Sequence, residues 1–127
     1  MIEVWGKNTL WAGEDEVIVQ DREGMKKTEY SPISGAYYSA RLAVCEYLKN
    51  IRRNARAIVV RHITGEYWAP LGTWVIRETT RKAMATQPVP CETLDDAVRK
   101  VSDRLGFSHW QLHSTLIPEL RTQRTLF

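Results

Sequence analysis

SPISGAYYSARLAVCEYLKNIRRN, residues 31–54, decides how the rest of the chain is read. It opens on turn-forming residues, becomes almost wholly apolar, and closes on Arg52 and Arg53. The pattern predicts a helix from about Ala36 to Arg53, with Ser31 or Ser34 as N-cap and the closing arginines at the negative end of its dipole. Inside the apolar run stand Arg41 and Glu46, just behind Tyr37 and Tyr38. An arginine near the start of a core helix has two explanations. Either it is an ion-pair partner in the core, or the helix end meets something anionic.

Shorter elements flank this helix. Residues 2–5 (IEVW) and 16–20 (EVIVQ) read as strands separated by turns at Gly6 and Gly13. Residues 21–35 are polar, with Gly24, Pro32 and Gly35, and read as a long loop. Residues 55–64 (ARAIVVRHIT) have a β-branched centre flanked by charge, the pattern of a buried strand. After a Pro70-Leu71-Gly72 bend, residues 73–85 fit a helix that Pro88 and Pro90 end. Residues 93–105 form the clearest helix, with Thr93 and Asp96 as a capping-box-like start and Gly106 as the stop. A last helix is expected over residues 108–122, interrupted at Pro118. The order of elements predicts one α+β domain, a small sheet of short strands covered by about four helices.

The chain has 127 residues, 43% hydrophobic and 26% charged, which suits one globular core rather than a disordered segment. The net charge of +3 permits an acidic partner without requiring one. Cys45 and Cys91 stand far apart with no CxxC, arguing against a disulfide framework or a zinc site. No apolar run approaches the ~20 residues a bilayer span needs, so a cytoplasmic protein with no membrane partner is expected. Most of the five tryptophans are expected in the core, with one or two free to line a groove.

A glycine before a helix gives an anion access to unpaired backbone N–H groups at the positive dipole end. Gly35, Tyr37, Tyr38 and Arg41 are therefore candidate phosphate-binding residues, with Arg61, Arg77 and Arg81 adding charge. The plainer reading makes Tyr37, Tyr38 and Arg41 packing residues and the 73–85 helix a solvated face with internal ion pairs. Glu46, His62 and Glu78 are the acid–base candidates if these arginines serve an enzyme. His109 and His113 are spaced i, i+4, but no third ligand accompanies them, so no metal is expected. No nucleophile triad, P-loop or nucleophile elbow is present, and no cofactor is expected. At the C-terminus, TQRTLF (122–127) places Gln123 three residues before Leu126, with Phe127 last. This resembles the front half of the motif by which replication and repair proteins bind the sliding clamp, without its second aromatic. A frayed helix end is the plainer reading.

Taken together and in order, VQDREGMKKTEYSPISGAYYSARLAVCEYL, AIVVRHITGEYWAPLGTWVIRETTRKAM and the terminal QRTLF, with EVW and TLW before them, resemble the C-terminal region of the archaeal Nre family of DNA-repair proteins. The sharpest parts are GAYYSARLAVCEYL and PLGTWVIRE. The resemblance implies an archaeal source, a role in the DNA-damage response, and a clamp-binding tail. It divides the chain into a domain over 1–121 and a clamp-binding-like tail over 122–127, in which Gln123, Leu126 and Phe127 dock. Typical members are several times longer and carry a cysteine-rich zinc element before this region, which is absent here. The expectation is a DNA-repair domain that binds DNA or another phosphate-bearing ligand and recruits the sliding clamp. A nuclease or phosphatase-like enzyme stays open as an alternative. So does a protein-binding subunit that completes a zinc-containing Nre partner chain or N-terminal region.

Overall fold

The computed structural model describes residues 1–69 and 71–123. Strand β1 (Ile2–Trp5) has all four residues buried, because it is the middle strand of three and both of its faces are covered. β2 (Val17–Gln20) pairs antiparallel with it, in a register from Ile2↔Gln20 to Trp5↔Val17. β3 (Val60–Ile63) pairs parallel on the other side, from Ile2↔Val60 to Trp5↔Ile63. The strand order is β2-β1-β3. β2 ends and β3 begins beside Ile2, and between them the chain passes through α1 (Gly35–Asn50) to reach the other edge of β1.

Alternation along β1 sends Ile2 and Val4 to one face and Glu3 and Trp5 to the other. Ile2 and Val4 pack with Val98 of α3 (Leu94–Leu105), Trp110 of a 3-10 turn (His109–His113) and Ile117 of α4 (Leu116–Thr122). Opposite them, Ala36, Tyr37 and Ala40 of α1 pack with Ile33, with Ile76 of α2 (Thr73–Ala85) and against Val19. Trp5, Ala12 and Ile63 form a small third cluster with Tyr67 at one end of the sheet. The α+β architecture is as expected from the sequence.

The differences lie at element ends. Only Val60–Ile63 of the expected 55–64 strand is paired, since β1 offers no strand beyond Ile2, whose N–H donates to the Val59 carbonyl at 2.8 Å. Helix α1 ends at Asn50 rather than Arg53. Arg52 takes a left-handed φ of 53°; its N–H reaches Lys49 O at 3.1 Å, and the Arg53 N–H reaches Leu48 O at 3.0 Å. Those two bonds are a Schellman ending with arginine where glycine is usual. At the other end Ser34 is the N-cap residue but makes no side-chain cap bond, while Ser31 Oγ accepts from the Ile33 N–H at 3.2 Å. The break in the last helix falls at Ser114–Thr115 rather than Pro118. Pro118 sits in the first turn of α4, where no N–H is needed. α3 carries the expected cap: Thr93 Oγ1 accepts from the Asp96 N–H at 3.0 Å, and Gly106 closes the helix at φ 83°. The tryptophans divide differently from expectation. Trp5 and Trp110 are buried, but Trp68, Trp11 and Trp74 are 79%, 72% and 57% exposed.

Candidate anion-binding surface and cavity

Arg41 lies one turn into α1, and its partner comes from the 21–34 loop. Its Nη1 donates to Glu23 Oε1 at 3.1 Å, with the two side chains 46% and 61% exposed. This is a surface pair, not a core one. Arg41 also stacks over the Tyr38 ring at 4.9 Å. Tyr37 is buried, and its hydroxyl donates to the same Glu23 oxygen at 2.7 Å. Burial and that carboxylate push the Tyr37 phenol well above its usual range. The Tyr37 hydrogen bond and the Arg41 guanidinium in turn hold Glu23 below its usual range. Lys27 sits 4.2 Å over the Tyr37 ring and pairs with Asp21, tying the loop down at a second point. The long polar loop is thus folded onto the start of α1 by a tyrosine, two cations and two carboxylates.

Gly35 allows a close helix contact. A Cβ there would come within 2.5 Å of Thr73 Cγ2 at the start of α2. Further along, Arg81 forks onto Glu46 of α1, with Nε and Nη2 donating at 2.9 and 2.7 Å. Gly35 facing Thr73 and Glu46 meeting Arg81 mean that α1 and α2 run side by side in one direction. The hydrogen bond from Arg81 holds Glu46 below its ordinary range, and Glu46 raises Arg81 in return. Arg81 Nη1 also reaches Glu78 at 2.8 Å, and Arg77 contacts Glu78 at 3.4 Å. Arg61 lies elsewhere, on β3. Its Nη1 donates to Glu3 Oε2 at 2.8 Å, Glu3 is 5% exposed, and the other Glu3 oxygen accepts from Trp5 Nε1 at 2.6 Å.

The seven candidates therefore separate into three places. Gly35, Tyr37, Tyr38 and Arg41 stand at the start of α1, Arg77 and Arg81 lie along the α1–α2 seam, and Arg61 is a largely buried sheet residue. Each of the four arginines has a carboxylate partner. Lys49, Arg52 and Arg53 have none among the described residues, and with Leu48 and Asn54 they line a shallow hollow of about 350 Å³ at the end of α1. Their side of the α1 terminus was legible as charge suited to a helix dipole; their freedom from acids depends on tertiary partners.

A second feature is a cavity of about 380 Å³ between α1, residues 55–59, the end of β2 and the start of α4. Ile2, Val44, Leu48, Ile58 and Leu116 give it apolar walls, and Tyr37 and Arg41 line it too. Charged groups rim it: Glu119 takes Arg22 at 2.8 Å and Arg56 at 3.0 Å, and Arg22 in particular keeps Glu119 below its ordinary range. The terminal ammonium of Met1 donates to the Asp21 carbonyl at 2.7 Å beside it, its pKa lowered by burial.

The acid–base candidates do not converge. Glu46 and Glu78 are engaged with Arg81, whereas His62 packs edge-on against Phe107 at 5.0 Å, on the α3 side of the sheet. His109 and His113 fall in a 3-10 turn, where four residues advance about 120° beyond a full circle and the rings do not share a face. His109 Nε2 instead meets Glu16 at 2.5 Å. No cluster of three or more potential metal ligands occurs among the described residues, nor does any helix there have the length and apolarity to cross a membrane. Gln123 ends α4; Leu126 and Phe127 lie outside the described residues.

Comparison with known proteins now bears on this arrangement. DNA repair protein NreA of Archaeoglobus fulgidus is 39% identical over 112 residues, covering 87% of this chain and 29% of that one. DNA repair protein NreB of the same organism is 41% identical over 129 residues, 98% of this chain and 33% of that one. NreA of Haloferax volcanii is 37% identical over 129 residues, with shares of 96% and 31%. The chain thus spans about a third of the length of these relatives. No solved structure matches it. Residues 22–127, from the tied-down loop through both helix layers, match the family described as "Archaeal Nre, C-terminal", and the chain belongs to that family as its C-terminal region.

Proposed function

We propose that this chain is a nucleic-acid-gripping module of an archaeal DNA-repair protein, holding phosphates with the basic end of the α1–α2 pair. The observation that carries the reading is the trio Lys49, Arg52 and Arg53, cations without acidic partners among the described residues, gathered at one hollow. Between Tyr47 and Gly65 the chain has five cations and no acid. The names of the relatives support the repair role. Arg77, Arg81 and Arg41 extend the surface, but each must exchange a carboxylate for a phosphate, so they add less than the free trio. Fluorescence anisotropy with single- and double-stranded DNA over a salt series tests this. Each neutralised phosphate contributes about 0.9 to the logarithmic salt slope on duplex. Arg52→Ala with Arg53→Ala should weaken binding without sequence preference and flatten the slope by about 2. Binding that ignores salt would discard the proposal.

A second reading concerns the tail. Gln123 closes α4 in an extended conformation (ψ 117°), so the chain leaves the helix at the first residue of the clamp-like pattern. Gln123, Leu126 and Phe127 would dock on a sliding clamp. One aliphatic and one aromatic side chain, less the entropy of ordering the tail, support micromolar affinity or weaker, by order of magnitude. Calorimetry against an archaeal clamp, with Gln123→Ala/Leu126→Ala as control, decides. Equal heats for both proteins would withdraw it.

A further inference from the structure

At the far end of the sheet from Met1, two loops carry the exposed indoles Trp11 and Trp68, and α2 begins with a third, Trp74. Trp11 in the β1–β2 loop stands edge-on to buried Trp5, their ring centres 6.3 Å apart. Tyr67 in the β3–α2 loop does the same from the other side, also at 6.3 Å. The Tyr67 hydroxyl accepts the Leu71 N–H at 3.3 Å, and the Trp74 ring lies against Gly72, where a Cβ would come within 3.3 Å of it. Trp11, Trp68 and Leu71 are thus borne on loops anchored by Trp5 and Tyr67, and Trp74 stands in the first turn of α2 just beyond them. With the exposures given above, the three indoles alone leave roughly 300–500 Å² of ring surface uncovered. That already matches the largest apolar patch of a typical monomer, ~300–600 Å². It is roughly 40–60% of the ~800 Å² each partner contributes to a standard interface.

We infer that this face docks the part of an Nre protein that precedes this region in the longer relatives, carried on the same polypeptide or on another. Two observations choose that occupant. The relatives place about two thirds or more of their length outside the match, and the matching family is defined as the C-terminal part, so this region is built to lie beside a larger body. The charge of the loops selects protein over nucleic acid. Glu14, Asp15, Glu16 and Glu66 share them with a single cation, Lys7, a sign that repels phosphates while suiting a partner with a basic rim. Tryptophans inside such a rim are the usual anchors of a protein interface. DNA is thereby assigned the opposite, basic end of the domain.

The test co-expresses the 127-residue chain with the segment of Archaeoglobus NreB outside the match, tagged on that segment, and measures how much chain is retained. The wild-type chain should be retained, and so should Arg52→Glu/Arg53→Glu, which strips the proposed DNA contact. Trp68→Arg/Leu71→Glu should lower retention at least tenfold. Both substituted residues are exposed, so circular dichroism and melting should stay near wild type. Retention of the Trp68/Leu71 variant at the wild-type level would overturn the inference. Failure of the wild-type chain to be retained, including an insoluble segment, would overturn it as well. So would loss of single-stranded DNA binding or of self-association in that variant, each of which would give the face to another occupant.

Discussion

Removing the Arg61 charge should cost far more stability than removing any of the exposed arginines, and should leave DNA binding alone. Glu3 is 5% exposed and has two donors, Arg61 Nη1 at 2.8 Å and Trp5 Nε1 at 2.6 Å. Arg61 itself lies over the touching Trp5 and Tyr67 rings, at 5.7 and 5.5 Å. Arg61→Met keeps most of the packed stem but strands the Glu3 carboxylate, a loss of about 3–5 kcal/mol for a broken buried pair. The indole N–H stays in place, and a hydrogen bond to a charged group is worth about 1.5–3 kcal/mol, so the lower end, about 3 kcal/mol, is expected. Urea unfolding followed by tryptophan fluorescence reads this directly. A fall of that size in a domain stable by about 5–15 kcal/mol is unmistakable. Adding Glu3→Gln removes the stranded charge while keeping an acceptor for Trp5, and should bring the double variant back to within about 1 kcal/mol of wild type. An Arg61→Met protein within 1 kcal/mol of wild type, or a double variant no better than the single one, would refute this account of the pair. Lost DNA binding per folded molecule would return Arg61 to the phosphate-binding set.

Arg41→Met, by contrast, should change stability by less than about 1 kcal/mol in thermal melts, since its pair with Glu23 is exposed. Arg52→Gly should stabilise the domain by roughly 0.5–1 kcal/mol in the same unfolding assay, because a left-handed residue with a side chain costs about 1–2 kcal/mol and glycine returns part of that as unfolded-chain entropy. Gly35→Ala should cost about 1–3 kcal/mol through its clash with the Thr73 methyl, and Thr73→Ser, which deletes that methyl, should restore most of the loss. The folded state holds Glu23 below the ordinary value of 4.5, so the loop's attachment is fully present above that value and is lost as pH falls through the lowered one. Corrected for the intrinsic pH dependence of exchange, amide protection in residues 21–34 should therefore be lost in acid before that of the rest of the chain.

What could be read in advance was whatever repeats locally. The stripe of Leu94, Val98, Val101 and Leu105, the Thr93 cap and the Gly106 stop are all within one helix of each other, and α3 forms where they place it. The partners of charged residues are not local. Glu23 is 18 positions from Arg41, Glu46 is 35 from Arg81, and Glu3 is 58 from Arg61. Nothing in the spacing of arginines tells a paired one from a free one, which is why the sequence points to Arg41, Arg77 and Arg81, which have carboxylates, and not to Lys49, Arg52 and Arg53. Tryptophan misleads for a related reason: its hydrophobicity is the same whether it fills a core, as Trp110 does, or stands on a loop, as Trp68 does.

The mixed pairing of β1 also orders events in time. β2 returns to it after the loop of residues 6–16, so the hairpin can close as soon as its own residues exist. β3 meets β1 only across 58 positions, and closing that longer chain costs roughly 1–1.5 kcal/mol more entropy than closing the hairpin. Ile2 and Val4 must also wait for Trp110 and Ile117, near the other end of the chain, before their face is covered. During synthesis β1 is consequently made well before the partners that complete it, and until β3 arrives its second edge stays open to other chains.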